Sequence, residues 1–277
     1  MAVYSKYGRK KITTSLTGNF DFKLQKLYYC LESAVSKDSR LMQAIGDRGS
    51  LAILGTVIAK SGLGGGWVTL AEIDAAIVPR RIATSRRIRA LVEWLEHCGG
   101  LERTRPDIDL RRRPFRVSGW LVRALGDLTS ASFAAMGASA SPELPGLDLQ
   151  GAVAFLARRI LPCVLDAAVL PPEVVALTEL RGGYLLMLRL LCEARGRAGG
   201  ARVEFSRKRF ARTFHVSRAH VTGLIARAER YGWLKRLDGE AIRIENHVYA
   251  AWCAFFDDQL TMLGRIAAEF EDASGDA

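Results

Sequence analysis

The chain has 277 residues, 49% of them hydrophobic, enough for one large core or two smaller ones, and carries a formal net charge of +11. An excess of cations on that scale makes a polyanion the first partner to consider, nucleic acid ahead of an acidic membrane surface. No long apolar run is present, the basic start MAVYSKYGRKK lacks a secretory core, and five widely spaced cysteines suggest neither a disulfide framework nor a CxxC metal site. The expectations are a cytoplasmic, nucleoid-associated protein without membrane contact, its thiols reduced and in the core.

Residues 1–20 read as a basic arm with Lys6, Arg9, Lys10 and Lys11 and no acid. The stretch FDFKLQKLYYCLESAV then has helical apolar periodicity from about Asp21, and a second apolar helix begins near Arg48. GLGGG, residues 62–66, lacks the Lys-Ser/Thr pair of a phosphate loop and reads as a connection. TLAEIDAAI predicts a short helix, VPRRIAT a long turn because Pro79 interrupts any continuous helix, and SRRIRALVEWLEHC a second helix. That helix turns Ile88, Leu91, Val92 and Leu95 inward and leaves Thr84, Ser85, Arg86, Arg87 and Arg89 as candidate DNA-reading residues. The hairpin LERTRPDIDLRRRPFRV follows, with Arg103, Arg105, Arg111, Arg112 and Arg113 as candidate contacts to phosphate or minor groove. Arg80 to Arg116 holds eleven arginines against five acids. The stretch from Ser118 to Met136 closes a first domain over 21–136.

GASASPELPGLD, residues 137–148, is rich in small residues and proline and is the linker candidate. Beyond it, in the second domain over 149–277, the pattern returns at a shift of 133 residues. RGGYLLMLRLLCEARGRAGG matches the helix from Arg48, and SRAHVTGLIARAERYGWLKR matches TSRRIRALVEWLEHCGGLER. Arg48/Arg181, Gly49/Gly182, Leu91/Leu224, Glu96/Glu229, Gly99/Gly232, Leu101/Leu234 and Arg103/Arg236 are identical at that shift. In RFARTFHVSRAHVTGLI the small Ala211 allows a close helix crossing. Ser217 caps a helix that buries Val221, Leu224, Ile225 and Ala228 and presents Arg218, His220, Thr222 and Arg227. Gly232 ends that helix, and KRLDGEAIRI reads as a hairpin turning at Asp238-Gly239, where both central residues tolerate positive φ, with Lys235, Arg236 and Arg243 upon it. Arg202 to Arg243 holds eleven Lys or Arg against four acids, whereas acids gather after Asp257 in a closing helix and acidic tail.

Helix, helix, turn, helix, basic hairpin is the order of a winged helix-turn-helix, and its second occurrence, roughly Gly182 to Phe270, resembles the MarR-type winged helix of bacterial DNA-binding regulators. His215 stands where that family usually has glycine in the turn. The fold expected is mainly α with small β-hairpins, two winged helix-turn-helix domains in tandem forming a pseudo-dimer. Because TSRRIRAL differs from SRAHVTGL, the resemblance implies a transcription regulator that reads double-stranded DNA with unlike half-sites. RNA polymerase or another regulator is a further partner to consider, and further dimerisation remains open; no residue set identifies a small-molecule effector. The alternatives are a plasmid or phage replication initiator with tandem winged helices and a non-catalytic scaffold for protein or RNA. No nucleophile–base pair, paired carboxylates, metal spacing or cofactor motif points to an enzyme. The tryptophans Trp67, Trp94, Trp120, Trp233 and Trp252 read as core and interface anchors.

Overall fold

Six of the described helices begin where the sequence supplies a side-chain acceptor for their free N–H groups. Asp38 opens α2 (Ser39–Ile45), and Thr69 with Glu72 forms a reciprocal capping box on α4 (Leu70–Ile77). Thr84 accepts from the Arg87 N–H at the start of α5 (Ser85–His97), Ser118 opens α6 (Gly119–Ala135), Ser206 opens α10 (Arg207–Thr213) and Ser217 opens α11 (Arg218–Arg230). α5 and α11 end in residues that cannot continue a helix, Gly99 at φ 72° and Gly232 at φ 69°.

The computed structural model describes residues 18–61, 66–103, 114–136, 149–166, 170–194 and 202–275. It is mainly helical with two small antiparallel sheets. Besides those above, the helices are α1 (Gly18–Lys37), α3 (Arg48–Ser61), α7 (Leu149–Leu165), α8 (Pro172–Thr178), α9 (Gly183–Glu193) and α12 (Asn246–Gly275). In the first sheet β1 (Leu101–Arg103) pairs with β2 (Phe115–Val117), and Phe115 also exchanges both backbone hydrogen bonds with Val68. The second sheet has the order β3 (Arg202–Glu204), β5 (Ala241–Ile244), β4 (Leu234–Arg236). In both sheets the returning hairpin strand is therefore central, flanked by a short segment that precedes the α4 or α10 helix.

The 133-residue shift extends to element bounds. α2 maps onto α8, α5 onto α11 and β1 onto β4 residue for residue. The register slips around the turns, where seven residues (78–84) separate α4 from α5 and four (214–217) separate α10 from α11, and again in the hairpins, where eleven residues separate β1 from β2 and four separate β4 from β5. The longer turn contains a single 3-10 turn, Val78–Arg80, with Pro79 inside it. Both turns then use a left-handed residue, Arg81 at φ 55° and His215 at φ 51°. The hairpin at Asp238-Gly239 differs from the expected two-residue turn. Only Gly239 takes positive φ there, and the Leu237 N–H bonds to the Ala241 carbonyl, which leaves three residues at the tip.

The expected inward positions are buried without exception: Ile88, Leu91, Val92 and Leu95 on α5, and Val221, Leu224, Ile225 and Ala228 on α11. Packing between the halves is reciprocal, with α7 lying along α3 and α1 lying against α9, while α6 rests on α1 and α7. One hydrophobic core consequently runs from Phe20 to Leu263 through both halves. The linker candidate 137–148 lies outside the described residues, as do 1–17 of the basic arm and 62–65 of the glycine stretch. Between α1, α3, α6, α7 and α12 the helices leave an apolar cleft of about 1250 Å³, lined among others by Leu27, Leu54, Leu128, Leu156, Phe255 and Met262.

Two expectations about single residues fail. Cys163 is exposed on α7 rather than in the core; Cys253 alone is fully buried, and burial pushes its thiol up to about 12. Trp67 is 40% exposed with the Arg116 guanidinium 5.3 Å from its ring centroid, so of the core and interface roles expected for the tryptophans it does not fill the core one, whereas Trp252 is wholly enclosed.

Candidate nucleic-acid interface

The stripes of α5 and α11 that face away from the core carry the charge. On α5, Ser85, Arg86 and Arg89 are exposed, and Thr84 is exposed at the cap. On α11, Arg218 is exposed beside the capping Ser217, Thr222 and Arg227 are half-buried, and the Thr222 hydroxyl donates to the Arg218 carbonyl at 2.9 Å. Arg230 is exposed on the last turn of α11, and Lys208, Arg209 and Arg212 are exposed on α10. None of these four was singled out from the sequence, although they belong to its basic stretch. Without a helix boundary, nothing in the one-dimensional pattern separates an outward Arg from one that turns inward.

Two residues expected on the outward faces turn aside. Arg87, the third residue of α5, forms an ion pair with Asp47, whose side chain is only 5% exposed. His220, at the equivalent place on α11, holds its Nε2 2.7 Å from the Arg181 carbonyl oxygen.

The hairpins are tied to the helices that precede them. The Arg236 guanidinium grips Glu229 with its Nε 2.8 Å from Oε1 and its Nη2 2.6 Å from Oε2, and the Arg236 backbone N–H adds a third bond to Oε1 at 3.0 Å. The first half repeats the side-chain grip, Arg103 binding both carboxylate oxygens of Glu96. Two-point pairing of guanidinium and carboxylate fixes direction as well as distance. The Arg236 hydrogen bonds hold the Glu229 carboxyl below its usual range, against the opposing effect of partial burial. Arg103 and Arg236 are thus committed to the protein, whereas Lys235 on β4 is exposed and has no ion pair among the described residues. Arg243 is half-buried with its Nη2 3.4 Å from Glu245. Arg105, Arg111, Arg112 and Arg113 lie outside the described residues. The Tyr231 ring, exposed at the end of α11, stacks on Trp233 with centroids 4.6 Å apart and braces the base of the second hairpin.

Among the described residues no group of three or more His, Cys, Asp or Glu is placed to hold a metal ion. Among them, too, no helix is long and apolar enough to cross a membrane. Comparison with protein-family models, with curated proteins and with solved structures found no match.

Proposed function

We propose that this chain is a sequence-specific, double-stranded-DNA-binding transcriptional regulator in which two MarR-like winged helix-turn-helix units form a single-chain pseudo-dimer. α5 and α11 are its recognition helices and the two hairpins its wings. The observation that carries this reading is the recurrence, at one fixed shift, of a capped helix with an outward cationic stripe followed by a hairpin clamped to it. A solvated basic face has no need of a hairpin held at a set angle, and still less of two.

Recognition helices in such units enter the major groove, where Arg bonds guanine O6 and N7, while wings meet phosphates or the minor groove. Equivalent positions differ between the helices: Ser85 against Arg218, Arg86 against Ala219, Arg89 against Thr222. The site read is therefore asymmetric. Its first half is contacted by Arg86 and Arg89 and its second by Arg218, with Thr222 suited to a smaller contact such as a thymine methyl.

Alanine substitutions assayed on a selected duplex and its single-base variants test this assignment. Arg218→Ala should cost about 1–3 kcal/mol and relax choice at one base pair, whereas Lys235→Ala should weaken all sequences alike and lower the salt dependence by about one ion. A uniform loss for Arg218→Ala would remove it from the reading surface.

A further inference from the structure

We infer that Arg87 and His220 are positioning residues, which set the separation and relative angle of the two recognition helices instead of contacting bases. The inference rests on the DNA-reading function proposed above and concerns how one rigid chain spaces its two half-sites.

A continuous set of contacts joins the two helices through the middle of the molecule. Arg87 reaches back from α5 to the buried Asp47, which also caps α3 by accepting from the Ser50 N–H at 2.9 Å and the Ser50 hydroxyl at 3.0 Å. Room for that guanidinium comes from Gly49, where a Cβ would lie only 3.0 Å from Arg87 Cζ. From the other side, His220 reaches back from α11 to the Arg181 carbonyl at 2.7 Å. The two anchors then meet. The Gly182 N–H donates to the Gly46 carbonyl at 2.7 Å, and a Cβ on Gly46 would stand 2.9 Å from Arg181 Cγ. Arg48 closes the joint, with its Nη1 2.7 Å from Glu179 Oε1 and its Nε donating to the Val164 carbonyl at 2.8 Å.

Each residue thus hands over to the next: Arg87, Asp47, Gly46, Gly182, Arg181, His220. Every step is a covalent neighbour, a hydrogen bond or an ion pair, and glycines stand where the backbones meet. Arg87 and His220 occupy the same place in the repeat, and each commits a side-chain nitrogen to this joint, with 40% of the Arg87 side chain still exposed. A nitrogen held by the protein in this way is not free to bond a base edge. Half-site separation on DNA is a geometric property of the protein, so the contacts that hold the helix starts control which spacing is accepted.

The test measures affinity for the selected duplex and for versions with one or two base pairs inserted or removed between its halves. Wild type should lose at least about tenfold for each one-pair change, comparable to the loss of one two-point base contact. Arg87→Ala, Asp47→Asn and His220→Ala should flatten this profile to about two- or threefold while leaving preference at every base position unchanged. Arg87→Lys, which keeps a cation within reach of Asp47, should restore part of the sharpness. A contact that merely stabilised the fold would lower affinity equally at all spacings, and that result in all three variants would overturn the inference. So would altered base choice with an unchanged spacing profile, since Arg87 or His220 would then be a reader. Should wild type itself show no sequence preference on any duplex, the DNA-reading function fails first and the inference with it. Thermal melts identify any variant that is simply unfolded, and a folded Arg87→Gln must show the flattened profile.

Discussion

Replacing Glu229 by Gln isolates the clamp that poses the second hairpin. The carboxylate accepts three bonds, two from the Arg236 guanidinium and one from its backbone N–H. Gln keeps one acceptor for the N–H but loses the charge and the second point of the fork. Exposed ion pairs contribute about 0.2–1 kcal/mol, and hydrogen bonds to charged groups in better-shielded places about 1.5–3. Glu229 is 22% exposed and Arg236 49%, which places the clamp between those limits after screening, near 1 kcal/mol for Glu229→Gln. Urea unfolding at pH 7 and at acid pH measures it. The folded-state pKa of Glu229 is depressed by Arg236, so its contribution is present in full above the unfolded value near 4.3 and is lost as pH falls through the lower folded value. The gap between wild type and Glu229→Gln should thus be about 1 kcal/mol at pH 7 and should close on acidification below about pH 4. An equal gap at both pH values, or none at pH 7, would refute the clamp.

Gly232→Ala and Gly99→Ala should each cost about 1 kcal/mol in the same assay. A Cβ meets nothing within 4 Å at either place, so the cost is that of a left-handed backbone alone. Arg81→Gly, at φ 55°, should shift stability the opposite way by a few tenths to about 1 kcal/mol. Leu224→Ala, at a position 2% exposed on the inward face of α11, should cost about 2–5 kcal/mol in the same assay.

The parts of the fold that were legible in the sequence are those with a strong local signal. Apolar spacing located α5 and α11, and every predicted inward residue of both is buried. Glycine marked their ends. What escaped was set by long-range geometry. α2, α8 and the Val68 segment are too short for a periodic signal, and their partners are distant in the chain. The same holds for the outward face. Composition predicted its charge, yet Arg86, Arg87 and Arg89 look alike in sequence, and only the proximity of Asp47, forty residues earlier, distinguishes the one that turns inward. The clamps left a trace that could have been read: Glu96, Glu229, Arg103 and Arg236 are conspicuous among the identities at the 133-residue shift, seven residues apart in each half. Identical pairs at identical separation, on a helix and the strand after it, are what a shared ion pair leaves behind in a repeat.

Selection of duplexes from a random pool by the full chain, followed by binding of the enriched sequence across a salt series, tests the central claim most directly. The account predicts one enriched site with two unlike halves about one helical turn apart, bound at least about a thousandfold tighter than random duplex. Steep salt dependence with no enriched sequence would contradict it, reducing the two cationic helices to a general polyanion surface.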